Sequence, residues 1–270
     1  MSKVWFITGA SRGFGREFAL AALKRGDRVA ATARTLSTLD DLRAHGEAFL
    51  PIVLDVTDRA ADFAAVQQAH AHFGQLDIVV NNAGYGHFVF FEEISEQEAR
   101  DQLETNVFGA MWITQAALPI MRAQGSGHII QVSSMGGQVA FPSLSIYHAS
   151  KWALEGMSEA LAQEVAAQGI KVTLVEPGAY GTDWSGTSAN HSQPNPVYDG
   201  FRQAMAQRGA GTQMGDPAAA ARALLKVVDS EQPPLRVLFG TQAYDAVQGI
   251  NAQRVQTWKD WETVSREAQG

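Results

Sequence analysis

Three groups of residues have types and spacings that could carry chemistry. Tyr147 and Lys151 lie four apart at the start of an Ala-, Leu- and Glu-rich stretch that reads as a helix, so both side chains project from one face. A free tyrosine has a pKa of about 10, too high to exchange protons well near neutrality. An ammonium beside it is expected to stabilise the phenolate and bring that pKa down. Ser134 follows an apolar run, where its hydroxyl could hold a carbonyl oxygen near Tyr147 as negative charge develops. Ser133 competes with it, since side chains alternate along a strand and one of the two can face the crevice. The third group is Thr8-Gly9-Ala10-Ser11-Arg12-Gly13-Phe14-Gly15. Its glycines allow a tight turn and close backbone approach to a pyrophosphate, and the helix after it would offer N–H donors.

These residues need a scaffold, and the hydrophobic pattern supplies one. Short apolar runs at Val4–Thr8, Arg28–Ala33, Phe49–Leu54, Asp77–Val80, His128–Val132, Lys171–Val175 and Arg236–Phe239 read as buried strands. Between them, Gly15–Arg25, Ala60–Phe73, Ala99–Arg122 and Ala149–Ala167 carry helical spacing. The alternation predicts a three-layer α/β fold, a doubly wound seven-stranded parallel sheet in one Rossmann domain covering 1–270. The stretch 178–215, rich in Gly, Ser, Thr, Asn and Pro, reads as a loop over the substrate. The stretch 241–268 reads as a C-terminal helical extension, whose Trp258 and Trp261 are expected to pack or make subunit contacts.

Composition narrows the function. With 21 basic and 28 acidic residues the chain carries a net charge of −7 and no long basic run, which disfavours nucleic acid and anionic membrane as partners. The absence of Cys removes thiolate metal sites and cysteine nucleophiles. His70 and His72 are two apart and face different ways on a helix, so no metal site is expected. Glu92, Glu93 and Glu96 read as a solvated acidic helix start. No stretch approaches the roughly 20 apolar residues of a membrane span, and no signal peptide is evident, so a cytoplasmic protein is expected.

The glycine spacing Gly-x3-Gly-x-Gly, Asn81-Asn82-Ala83-Gly84, Asn106, Ser134, Tyr147-x3-Lys151 and Pro177-Gly178 leading to Thr182 occur in register along the chain. In this it resembles the short-chain dehydrogenase/reductase family, in its compact single-domain branch and on its steroid/retinol-dehydrogenase-like side. The resemblance implies hydride transfer between nicotinamide and a carbonyl or secondary alcohol, with Tyr147 as general acid/base. Lys151 would bind the nicotinamide ribose, and Asn106 would hold a water linking Lys151 to solvent. It also implies that Asp55 and Val56 flank the adenine, that Asn82, Ala83 and Gly84 lie along the adenosine half, and that Pro177, Gly178 and Thr182 shape the carboxamide pocket. A homo-oligomer, dimer or tetramer, would form through helices around Ala99–Arg122 and Ala149–Ala167.

Charge selects the cofactor. The second strand ends Ala30-Ala31-Thr32-Ala33-Arg34, without the carboxylate that would accept from the ribose hydroxyls of NAD. Arg34 and Arg12 suit a 2′-phosphate, so NADP(H) is expected over NAD(H). Tyr85, His87, Phe88, Gly136, Phe141, Ser143, Tyr180 and Trp184 are candidates for the substrate pocket. Their aromatic content and the lack of an Arg or Lys clamp suggest a mostly apolar, uncharged small molecule. Two alternatives stand beside this reading: an NAD-preferring alcohol dehydrogenase, and a regulator that senses NADP(H) without turnover.

Overall fold

Strand β1 (Val4–Ile7) is buried on both faces because its side chains alternate between two cores. Trp5 and Ile7 join one apolar cluster, and Val4 and Phe6 join the other. The computed structural model describes residues 2–186, 189–209 and 213–270. Its main sheet is seven-stranded and parallel, in the order β3 (Phe49–Val53), β2 (Arg28–Ala33), β1, β4 (Ile78–Asn81), β6 (Gly127–Val132), β7 (Ile170–Pro177) and β9 (Arg236–Phe239). Helices α1 (Gly13–Lys24) and α7 (Pro217–Asp229) cover the Trp5 face. The Phe6 face is covered by α2 (Arg59–Phe73), α4 (Ala110–Gln124) and the end of α5 (Ser145–Val165). This is the expected doubly wound Rossmann arrangement, and the seven strands fall within a few residues of their predicted positions.

The strand order reverses between β1 and β4. Their carboxyl ends diverge there and open a crevice, the place where such sheets bind ligands. Both candidate motifs that follow these strands, Thr8–Gly15 and Asn82–Gly84, therefore meet at one point.

Several expectations need correction. The single helix over Ala99–Arg122 is two, α3 (Glu96–Leu103) and α4, joined by a π-turn at Glu104–Gly109. The stretch 178–215 is not a plain loop. It contains β8 (Asn190–His191), paired in parallel with β5 (His87–Phe88), and helix α6 (Asp199–Gly209). Its residues 187–188 and 210–212 lie outside the described residues. The C-terminal extension is α8 (Thr241–Asp260) followed by α9 (Glu262–Glu267). Trp258 and Trp261 are exposed by 68% and 62%, so neither packs within the chain.

Glu93 is also not solvated. Its side chain is 3% exposed, pairs with Arg202 of α6, and accepts from the backbone N–H groups of Phe90 (2.8 Å) and Asn195 (2.7 Å). The acidic residues that do serve a helix start are Glu96, paired with Arg100 one turn on, and Glu98, which completes a capping box with Ser95.

Candidate active site

A single cavity of about 1260 Å³ runs along the carboxyl ends of the central strands. One end, where the resemblance would put the adenosine, is lined by Gly9, Ser11, Arg12, Gly13, Phe14, Arg34, Asp55, Val56, Asn82, Ala83 and Gly84. Its other end is lined by Ser134, Tyr147, Lys151, Pro177, Gly178 and Thr182. Nearly all the candidate residues are thus brought to one place.

Backbone geometry at the adenosine end fits a dinucleotide. Helix α1 begins at Gly13 without a side-chain cap and without an acidic residue in its first turn. By contrast, Asp58, Ser95 and Asp216 cap α2, α3 and α7. Among the described residues no side chain caps α1, as none caps α5 or α8, so its first-turn amides can present donors and positive dipole to an anion at the cavity. Gly13 has φ of +58°, which favours glycine. Gly15 lies outside the cavity lining. A Cβ there would stand 2.5 Å from the Gly9 carbonyl oxygen and would also meet the Asn82 amide, so its lack of a side chain lets α1 approach the sheet closely. Arg12 and Arg34 are the cations of this end; its carboxylate, Asp55, follows β3 rather than β2 and accepts from Thr57 N and Oγ1.

The reactive end is built on β6 and α5. Tyr147 is 5% exposed and Lys151 6%, one turn apart on the buried face of α5. The Lys151 ammonium donates to the Val132 carbonyl at 2.8 Å and lies 5.7 Å from the Tyr147 ring centroid. Burial pushes Tyr147 up to about 12, opposed by a hydrogen bond with Ser134. Burial also brings Lys151 down to about 8, opposed by the charge of Glu155. The expected lowering of the Tyr147 pKa by Lys151 is therefore not realised in the chain alone. Desolvation is the larger effect on Tyr147 in the chain alone, and the ammonium is engaged by the Val132 carbonyl.

Ser134 Oγ accepts the Gly136 N–H at 3.0 Å, capping the short turn that begins the substrate wall. Ser133 touches the cavity, but its buried hydroxyl has no partner among the described residues. It sits beside Gly137, where an added Cβ would stand 2.8 Å from it. Asn106 lies behind the cavity, within the π-turn. Its amide accepts from Tyr85 N and donates to Tyr85 O and Ser150 Oγ, each at 3.1 Å. The side chain's two N–H groups are thus used on Tyr85 and Ser150, and it fixes the Tyr85 backbone at both its N–H and its carbonyl.

Of the substrate candidates, Tyr85, Phe88, Gly136, Phe141, Tyr180 and Trp184 line the cavity. Trp184 packs on Tyr147 (ring centroids 4.9 Å) and on Phe88 (5.3 Å). The Tyr180 ring also packs against Phe14 at 5.0 Å, beside the core. Two candidates are misplaced. Ser143 adopts φ of +64° and turns its carbonyl to Val89 N (2.8 Å), leaving Leu144 to line the cavity in its stead. His87 is 2% exposed and bonds Ser192 at 2.9 Å, behind the wall. Sequence reasoning missed Met135, Leu144, His148, Asp183, Asn190 and Met214, which also line it. His148 had a signal, its place beside Tyr147. The others follow from long-range packing.

The short chain dehydrogenase family model matches residues 3–193. A short-chain dehydrogenase from Streptomyces avermitilis is 43% identical, with a TM-score of 0.92 covering 99% of this chain and 98% of that one. A short chain dehydrogenase/reductase from Burkholderia phymatum, in complex with NAD, is 26% identical with a TM-score of 0.80 over 92% of each chain. One from Burkholderia cenocepacia, in complex with NADP, is 27% identical with a TM-score of 0.78, covering 96% of this chain and 97% of that one. These two solved structures divide between the two dinucleotides. Among the described residues no helix is long and apolar enough to cross a membrane. With the family model matched over most of its length and its crevice formed at the β1/β4 divergence, this chain belongs to the short-chain dehydrogenase/reductase family, as an oxidoreductase acting on CH–OH or C=O groups with NAD(P).

Proposed function

We propose that the chain is an NADP(H)-preferring reductase of small, mostly apolar ketones, and of the matching secondary alcohols in reverse. The observation that carries this reading is one cavity with Arg12 and Arg34 at one end and Ser134, Tyr147 and Lys151 at the other. A bound nicotinamide supplies, or receives, the hydride exchanged with the carbonyl carbon.

The chain's own residues supply the rest. Ser134 and Tyr147 donate to the substrate oxygen, and Tyr147, held protonated by burial, gives up its proton as charge develops there. Lys151, one turn away on the same face, steadies the phenolate left behind. Asn106 acts from the rear by fixing the backbone of Tyr85. Arg12 and Arg34 fit a 2′-phosphate, for which guanidinium offers paired, charge-assisted bonds.

The walls Phe88, Phe141, Leu144, Trp184 and Met214 are apolar, and the cavity lining also carries the acidic Asp101, Glu104 and Asp183, with Lys151 as the cation of the reacting group. This favours an uncharged substrate over a carboxylate or phosphate ester, in keeping with the steroid/retinol-dehydrogenase-like side of the family. We extend the proposal to one domain over 1–270, working in the cytoplasm as a homo-oligomer. The test is Tyr147→Phe assayed with NADPH across cyclic, aromatic and aliphatic ketones. Turnover should fall by about three orders of magnitude, with NADPH affinity held within about threefold. Undiminished turnover would remove Tyr147 from the mechanism.

A further inference from the structure

His148 follows Tyr147 in the chain but faces another way, and its imidazole is 4% exposed. Its Nδ1 lies 2.9 Å from the Gly136 carbonyl oxygen, and its Nε2 lies 2.9 Å from the Phe141 backbone nitrogen. These partners fix the chemistry. A carbonyl can only accept and a backbone N–H can only donate, so Nδ1 carries the proton and Nε2 offers its lone pair. Only the neutral imidazole in that tautomer satisfies both bonds. Burial lowers the His148 pKa, with the Gly136 carbonyl opposing, which keeps the ring neutral near pH 7. The titratable group packed beside it is Tyr147 (ring centroids 5.8 Å); Glu155, two turns along α5, is engaged instead by Arg236.

The segment held in this way is the wall of the substrate end. It runs from Ser134 to Leu144, both in the cavity lining. It lies so close to α5 that a Cβ at Gly136 would stand 2.7 Å from His148 Nδ1. Phe141, 39% exposed, sets the edge of its ring against the imidazole at 5.5 Å.

We propose that His148 is a positioning residue that determines specificity: by tying the Gly136 and Phe141 backbones to the helix turn bearing Tyr147, it sets how far the substrate wall stands from the proton donor. A substrate is thereby selected by the gap between Phe141 and Tyr147. The inference rests on the reading of Tyr147 and Ser134 as the reactive pair, and goes beyond it in assigning a role to a residue that reading leaves unused.

The test uses the full chain with NADPH and the two ketones, from a panel of cyclic, aromatic and aliphatic ketones, that the wild type reduces fastest. His148→Phe removes both bonds. KM should rise about tenfold and the preference between the two ketones should change, while kcat and NADPH Kd stay within about threefold. His148→Gln can still accept from Phe141 N–H and should restore KM to within about threefold of wild type. His148→Asn can keep the Gly136 bond alone and should fall between the two, which keeps the comparison intact if the Phe variant does not fold. Wild-type KM and selectivity in His148→Phe would overturn the proposal, as would equal impairment of the Gln and Asn variants or a loss confined to NADPH binding. A wild type that reduces no ketone would overturn the reading of the site and this inference together. An active wild type with the wrong variant pattern overturns the inference alone.

Discussion

Asn82 donates to Thr8 twice across the gap between β1 and β4. The Thr8 hydroxyl accepts the backbone N–H of Asn82 at 2.9 Å, and the Thr8 carbonyl accepts the Asn82 side-chain amide at 2.9 Å. The same hydroxyl accepts from Ala83 N, and the same amide reaches Gly9 O, both at 3.0 Å. The glycine loop and the Asn82–Gly84 turn are thus one rigid unit. Asn82→Ala leaves two carbonyls without these donors, so urea denaturation should show a loss of about 1–2 kcal/mol. NADPH affinity should weaken with it, by about fivefold or more. Thr8→Ser, which keeps the acceptor, should cost far less than Thr8→Val, and equal losses in the two would disprove the account.

Arg34 tests the choice of dinucleotide. Removing its guanidinium by Arg34→Ala should raise KM for NADPH by about ten- to a hundredfold while changing KM for NADH little, because only NADPH carries the phosphate it would pair. Arg34→Lys, with a point charge in place of the planar fork, should fall between them. An equal rise for both dinucleotides would mean that Arg34 stacks on the adenine instead.

Glu93 and Arg202 tie the substrate segment to the body of the protein. Burial alone would push the Glu93 carboxyl up, but the Asn195 and Phe90 amides and Arg202 hold it below its ordinary value. Around the pair, Phe90 stacks on Tyr198 at 4.3 Å and lies under the Arg202 guanidinium at 5.1 Å. Glu93→Gln should cost about 2 kcal/mol of stability and raise KM for ketones with kcat little changed, since the pair is remote from the reacting atoms. Because its folded pKa is depressed, the stability Glu93 provides is present above the ordinary carboxylate pKa and is lost as pH falls through the folded value. A variant with wild-type KM would show that the segment keeps its place without this tie.

Asp62 gives the opposite pH dependence. It is fully buried in α2, both carboxyl oxygens lack partners among the described residues, and burial raises it to about 8, helped by the charges of Asp58 and Asp55. With a folded pKa above the unfolded one, its contribution is fully present below the unfolded pKa and is lost as pH rises through about 8. Denaturation midpoints should therefore drop between pH 6 and pH 9 in the wild type. Asp62→Ala should flatten that drop and stabilise the protein at pH 9 by about 1–3 kcal/mol. A wild type whose stability does not change over that range would disprove the burial argument.

The main-sheet strands were legible because a strand covered on both faces is a short, continuous apolar run. The pair Tyr147/Lys151 was legible because a four-residue spacing on a helix fixes a shared face. What escaped the sequence has no local signature. A π-turn at Glu104–Gly109 inserts one residue into a helical pattern without altering its composition. The positive φ at Ser143 turns that residue's carbonyl toward Val89 and leaves Leu144 facing the cavity. Glu93 looked like a solvated acid because its partner lies more than a hundred residues away, as does the partner that takes His87 out of the pocket. The raised Tyr147 pKa has another source: a charge four residues away is visible in sequence, but the burial that desolvates the phenol is not.

The uncapped start of α1 has a consequence for how the protein exists in the cell. A helix start that the chain leaves uncapped at the dinucleotide cavity gains acceptors when that ligand binds, so by linkage folding and occupancy rise and fall together. At a free concentration a hundred times its Kd, a dinucleotide adds about 2.7 kcal/mol to the folded state. Stability is then partly set by metabolism: a shrinking dinucleotide pool would shorten the protein's lifetime before it slowed the reaction.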